Sequence, residues 1–154
     1  MGVISSLICF VLNPYVERKI NQKNIELEAM DATCMMLLDF FKQKFNNKDN
    51  MLELLMNIQD NIIVYGTKKE LNLYKTIKIR AFQFKEPDGS LYTLVLLYLL
   101  FSVIRKETYK SSYFNPNYLY SIYLTDYQSR KEEIKALNNL VVKENHLGRK
   151  YYIK

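Results

Sequence analysis

The amino-acid sequence predicts an all-α protein, a helical bundle of about five helices with an apolar N-terminal helix at its start and either a frayed end or a small hairpin at its C-terminus. Three observations predict it. Only four Gly and three Pro occur in 154 residues, too little material for the many turns of a β-sandwich. Apolar residues recur at helical spacing through most of the chain. Three capping boxes, at Asn50–Glu53, Thr67–Glu70 and Ser129–Glu132, mark helix starts. Hydrophobic content of 49% and charged content of 25% belong to a globular chain rather than a disordered one.

The first sixteen residues carry no charge; Glu17, Arg18 and Lys19 then follow in succession. A secretory signal would place its positive charge before the apolar run and a small-residue cleavage site after it, and neither is present. The strongly apolar part, 3–12, is followed by Asn13-Pro14 and is short for a spanning helix, which needs about 20 residues. Residues 1–16 are therefore an apolar N-terminal segment with two readings, a membrane anchor or a core helix. The remainder, 17–154, is a helical domain. As an anchor, the segment would place Tyr15, Arg18, Lys19 and Lys23 at the membrane interface, with the domain held on the cytoplasmic side by the positive-inside rule.

From Glu17 to Phe45 one long amphipathic helix is expected, with Ile20, Leu27, Cys34 and Phe41 seven residues apart. A second helix follows the Asn50 cap and stops at Gly66, a natural C′ residue. Thr67 to Glu70 caps a third directly afterwards, so that "YGTKKE" is a tight helix–turn–helix joint. The third helix runs to about Phe84, where "KEPDGS" breaks it. Residues 91–104 are apolar except for Thr93 and Ser102, which predicts the central helix of the bundle. Asn115 caps a further helix with Pro116 at its first position. The stretch 118–124 suits helix and strand equally, since Tyr and Ile are at home in both. A last helix runs from Ser129 to about Val142, and 144–154 is either a frayed end or a hairpin.

No chemistry is spelled out. The chain has no glycine-rich phosphate loop, G-x-S-x-G, H-E-x-x-H or C-x-x-C. Cys9 and Cys34 lack partners at metal-ligand spacing and read as small buried hydrophobes. The single histidine, His146, has no companions. Glu26, Glu28, Glu132 and Glu133 stand among lysines as solvated charges. The sequence is read as that of a non-enzyme with no cofactor, no metal and no small-molecule substrate.

A net charge of +6 permits an anionic partner without requiring one. From Ser129 onward seven Lys/Arg stand against three Glu. A helix there followed by a hairpin would form a recognition helix and wing, with Arg130, Lys131, Arg149 and Lys150 as nucleic-acid contacts.

Ile58, Gln59, Tyr65, Gly66, Thr67 and Glu70 form an "IQxxxxxYGTxxE" joint. Asn115, Pro116, Leu119, Leu124, Asp126 and Tyr127 form a second stretch, in which a turn leads to a leucine-containing run ending in Asp-Tyr. In these stretches the chain resembles a loose family of small bacterial and phage proteins of unknown function. The resemblance implies an N-terminal transmembrane segment and a cytoplasmic helical domain, though the apolar segment here is shorter than that pattern. The functional expectation is a membrane-tethered helical binding or adaptor module with a protein partner met through the long first helix. The alternative is a soluble, cytoplasmic nucleic-acid-binding protein.

Overall fold

The structure, a computed structural model, describes residues 2–42, 48–83, 88–109 and 116–154, with side chains for 14–42, 53–80, 91–109 and 116–154. Six α-helices make up the described residues: α1 (Gly2–Lys42), α2 (Lys48–Tyr65), α3 (Lys68–Gln83), α4 (Asp88–Thr108), α5 (Pro116–Tyr123) and α6 (Tyr127–Glu144). A short 3-10 turn at Arg149–Tyr151 follows. No strand occurs among them. The expected all-α bundle is observed, and the stretch 118–124, ambiguous in sequence, is helical as far as Tyr123.

The separate apolar N-terminal helix is corrected. Residues 2–16 and the amphipathic run after them belong to one 41-residue helix, α1, which passes through Pro14 without ending. A proline removes one main-chain hydrogen bond and crowds the carbonyl four residues earlier. Pro14 itself is exposed. Among the described residues no helix is long and apolar enough to cross a membrane, so the expected transmembrane span is not found.

The second half of α1 enters the bundle through Met30, Cys34, Leu37 and Phe40, all buried. Helix α2 returns alongside it. The Asn61 amide nitrogen donates to the Ala29 carbonyl at 3.2 Å and to Thr33 Oγ1 at 3.0 Å, fixing the register of the pair. Helix α2 begins at Lys48, two residues before the expected Asn50 cap, whose side chain lies outside the described residues, as does Asn115.

The joint to α3 is as expected in position and capping. The Thr67 main-chain N–H donates to Glu70 Oε2 at 2.5 Å, and the Glu70 N–H to Thr67 Oγ1 at 3.5 Å. Gly66 is required for closeness of approach, not for a left-handed backbone, since no glycine here has positive φ. A Cβ at residue 66 would stand 2.4 Å from the Ile62 carbonyl oxygen.

Helix α4 is the axis. Every residue from 95 to 104 is buried, Ser102 included, whose hydroxyl donates to the Tyr98 carbonyl at 2.8 Å. Helices α1, α3, α5 and α6 pack around it. The aromatic surplus of the sequence has a structural use here. Phe41 of α1 and Tyr98 of α4 lie 4.3 Å apart between ring centroids, and Tyr120 of α5 meets Tyr98 edge-on at 5.1 Å. Such pairs add about 0.5–1.5 kcal/mol each beyond area burial.

Two expectations near the C-terminus are corrected. The Ser129–Glu132 box does not form: α6 starts earlier, after Asp126, and the Ser129 hydroxyl bonds the Asp126 carbonyl instead. The tail is not a hairpin. Helix α6 ends with the N–H of His146 on the Lys143 carbonyl and that of Leu147 on the Val142 carbonyl, a Schellman closure. His146 takes its left-handed position, with φ 52°. The tail then folds back with Leu147, Tyr151 and Ile153 buried.

Candidate functional site

Helix α1 stops being a bundle helix at its midpoint. Residues 14–28 are exposed without exception, whereas Met30, Thr33, Cys34 and Leu37 are buried. At 1.5 Å per residue the exposed stretch is about 22 Å long, and residues 2–13 extend the helix further. Ile20 and Ile25, each 53% exposed, and Leu27 at 37% stand on it with Tyr15 and Val16. No described residue covers these apolar side chains.

All four residues expected at a membrane interface fall on this stretch. Tyr15 and Lys19 are brought together, with the ammonium 4.8 Å from the ring centroid. Arg18 and Lys23 are exposed on the same span. In helical projection Tyr15, Arg18, Lys19 and Lys23 fall within an arc of about 140°, so one side of the helix is basic and aromatic. Beyond it lie the uncharged residues that open the sequence.

The four residues expected to meet nucleic acid are not gathered in that way. Arg130 is held between two carboxylates of its own helix, at 2.8 and 2.9 Å from Glu133 and 3.5 Å from Asp126. Its guanidinium is held yet more firmly charged, and Glu133 is pulled below the usual carboxylate range, each by this hydrogen bond first. Lys131 is exposed on the next position of the helix. Arg149 and Lys150 lie on the 3-10 turn, not on a hairpin wing, with Lys150 5.1 Å from the Tyr151 ring centroid.

Sequence patterns did not point to a second polar assembly, inside the body. The Tyr120 hydroxyl donates to Asn138 Oδ1 at 2.9 Å, and Asn138 Nδ2 donates to the Tyr151 carbonyl at 3.0 Å. Asn139 continues the clasp: its Nδ2 donates to the Ile153 carbonyl at 3.1 Å, and its Oδ1 accepts from the Ile153 N–H at 2.9 Å. The consecutive Asn138-Asn139 was the one available signal, because paired amides on a helix suit main-chain groups of a passing strand or tail.

Glu70, 1% exposed, lies at the start of α3. Burial pushes its carboxyl above the ordinary range, and the two hydrogen bonds from Thr67 restrain the rise. The Tyr151 hydroxyl is buried without a hydrogen-bond partner among the described residues, and the fields of Glu107 and Glu70 add to the burial that raises it. Nearby, Asp31 of α1 accepts from the Tyr109 hydroxyl. The Cys34 thiol is pushed up to about 12, first by burial and then by Asp31. A thiol held so far above neutrality has negligible thiolate character. No group of three or more His, Cys, Asp or Glu side chains is placed to hold a metal among the described residues. His146 is exposed beside the helix end.

Comparison with known proteins finds no family model, no curated protein and no solved structure that matches the chain.

Proposed function

We propose that the chain is a non-enzymatic helical binding module, held against the cytoplasmic face of the cell membrane by the first turns of α1 and meeting a protein partner along the exposed half of that helix. One observation carries it: residues 14–28 leave the bundle entirely, with Tyr15, Arg18, Lys19 and Lys23 following a charge-free segment. A helix of this kind suits an interfacial anchor. Residues 2–13 span about 18 Å, short of a hydrocarbon core of about 30 Å, so they enter the headgroup region rather than crossing. Each basic residue near an anionic surface adds about 1 kcal/mol at low salt.

Vesicle flotation tests it. The full chain is expected to float with anionic vesicles, less with zwitterionic ones, and less again as salt rises. Deletion of residues 1–13, or Arg18→Glu with Lys19→Glu and Lys23→Glu, is expected to leave the protein at the bottom of the gradient. Flotation unchanged by both alterations would overturn the tether.

The nucleic-acid alternative has less support. Arg130 is neutralised by carboxylates on its own helix, and the wing that would carry Arg149 and Lys150 is replaced by a docked tail.

A further inference from the structure

Residues 14–28 of α1 form a stalk whose sides are set by the buried half of the same helix. At about 100° per residue, Tyr15, Lys19 and Lys23 lie within about 60° of Met30, which faces the bundle. The aromatic and basic side of the stalk is therefore turned to the side on which the body lies. A surface that receives Tyr15 and Lys19 must also meet the body.

The packing decides which part it meets. Helix α1 packs on α2 and α4, and α3 packs on the same two, so α3 lies diagonally across from α1. The Gly66 joint stands at the foot of the stalk, because Asn61, little more than a turn before it, reaches Ala29. From that joint α3 runs along the outer side of the body. Its exposed residues, Lys68, Leu71, Asn72, Lys75, Lys78 and Ile79, fall within an arc of about 120°, opposite buried Leu73 and Ile77. No acid stands on that arc, since Glu70 is buried. Among the described residues none of its three lysines has an ion-pair partner.

Charge is divided across the molecule in the same direction. From 68 to 80, α3 carries five cations against the buried Glu70. The side of α1 turned away from Met30 carries Glu17, Glu28, Asp31 and Asp39, with Lys42 paired to Asp39.

We infer that the exposed face of α3 is a second contact with the anionic membrane surface, made by Lys68, Leu71 and Lys75 while the first turns of α1 hold the same surface. This rests on the proposed tether and adds the body to it. Helix axes stand about 9 Å apart, and residues 2 to 28 span about 40 Å. A plane touching both places is then inclined to α1 by roughly 25°. Lys68 and Leu71 reach the headgroups first. Lys78, about 15 Å further along α3, stands off by about 6 Å, inside the screening length of about 8 Å at physiological salt. Leu71, 38% exposed, enters between the lysines, and the acidic side of α1 is turned away from the surface.

Flotation of the full chain tests it. Lys68→Glu with Lys75→Glu and Lys78→Glu is expected to raise the anionic lipid needed for half flotation about tenfold or more. Lys→Gln at the three positions, the milder change, is expected to raise it about threefold. Lys131→Glu with Lys135→Glu and Lys143→Glu, an equal charge change on α6, should have less effect than either. Circular dichroism confirms unchanged helicity. A fluorophore on Leu71→Cys, made with Cys9→Ser and with Cys34 left buried, is expected to be quenched by headgroup-labelled lipid. One on Ala32→Cys, on the far side of α1, is not. Equal quenching at the two positions, or α3 variants that float like the α6 variant, would overturn the inference and leave the tether standing. Flotation that survives deletion of residues 1–13 but is lost with the α3 lysines would do the reverse. A native chain that floats with no vesicle refutes both, and duplex DNA binding lost in the α3 variants would then assign the face to nucleic acid.

Discussion

Asn138 joins three parts of the fold through one side chain: its carbonyl oxygen accepts from Tyr120 of α5, and its amide nitrogen donates to the main-chain carbonyl of Tyr151. Both directions are fixed by chemistry, because a carbonyl can only accept. Asn138 is fully buried, as is the Tyr120 ring. Replacing it with leucine strands a hydroxyl and a carbonyl in the core. Asn138→Leu is expected to lose about 2–4 kcal/mol in urea unfolding, whereas Asn138→Leu with Tyr120→Phe should recover part of the loss. Equal losses in the single and double variants would show that the hydroxyl contributes nothing.

Gly66 is the second point where one atom matters. Gly66→Ala is expected to cost about 1–3 kcal/mol, because the new methyl carbon would lie 2.4 Å from a main-chain oxygen that cannot move without unwinding α2. Thr67→Ala, which removes only the cap, should cost about 1 kcal/mol. Chemical denaturation of the two variants gives the order.

Glu70 makes stability depend on pH in the less common direction. A carboxyl held above its ordinary value of 4.5 binds its proton more tightly in the folded chain than in the unfolded one. Its contribution is therefore fully present at low pH and declines as pH rises from the unfolded value through the higher folded value. Gln at this position keeps the cap but cannot ionise. The stability of Glu70→Gln relative to the native chain is thus expected to increase as pH rises from the ordinary value of 4.5 and to level off once the raised folded value is passed. A difference that stays constant with pH would show that burial does not act on this carboxyl.

His146 occupies a left-handed backbone position that favours glycine. His146→Gly relieves roughly 1 kcal/mol of strain, offset in part by the freedom glycine gains when unfolded. A small rise in Tm is the expected result, and a fall would show that the imidazole makes a contribution of its own.

Deleting residues 1–13 should leave the unfolding free energy of the body within about 0.5 kcal/mol of the native value, since residues 14–28, which join them to the body, are exposed throughout. Urea unfolding followed by tyrosine fluorescence, with Tyr15→Phe in both proteins, measures the body alone.

The features legible in the sequence were those set by neighbouring residues. The Gly66–Glu70 joint was readable because both of its hydrogen bonds lie within four residues. Helix α4 was readable because an all-round apolar helix has nowhere to sit but the centre. Pro14 misled because it is a breaker by local rule, yet α1 runs through it. The tail misled because its docking depends on Asn138 and Asn139, more than ten residues away, and the paired asparagines alone do not say which segment they hold. The candidate surface was half visible: Tyr15, Arg18, Lys19 and Lys23 were identified, but Ile20 and Leu27 share one seven-residue repeat with Cys34, and only exposure separates them.

The stalk also gives the molecule two kinds of stability. An isolated helix must first form a costly nucleus, whereas one growing from a folded body begins with that step complete. Residues 29–42, packed in the bundle, are such a template, and each turn toward the N-terminus is only an extension of it. The body should therefore melt as one unit while the stalk shortens turn by turn from its far end as temperature rises. Amide exchange would then be graded along residues 14–28, fastest at Tyr15 and slowest beside Ala29. The reach of the N-terminal segment thereby becomes a quantity set by temperature, and any surface that captures that end restores its full length.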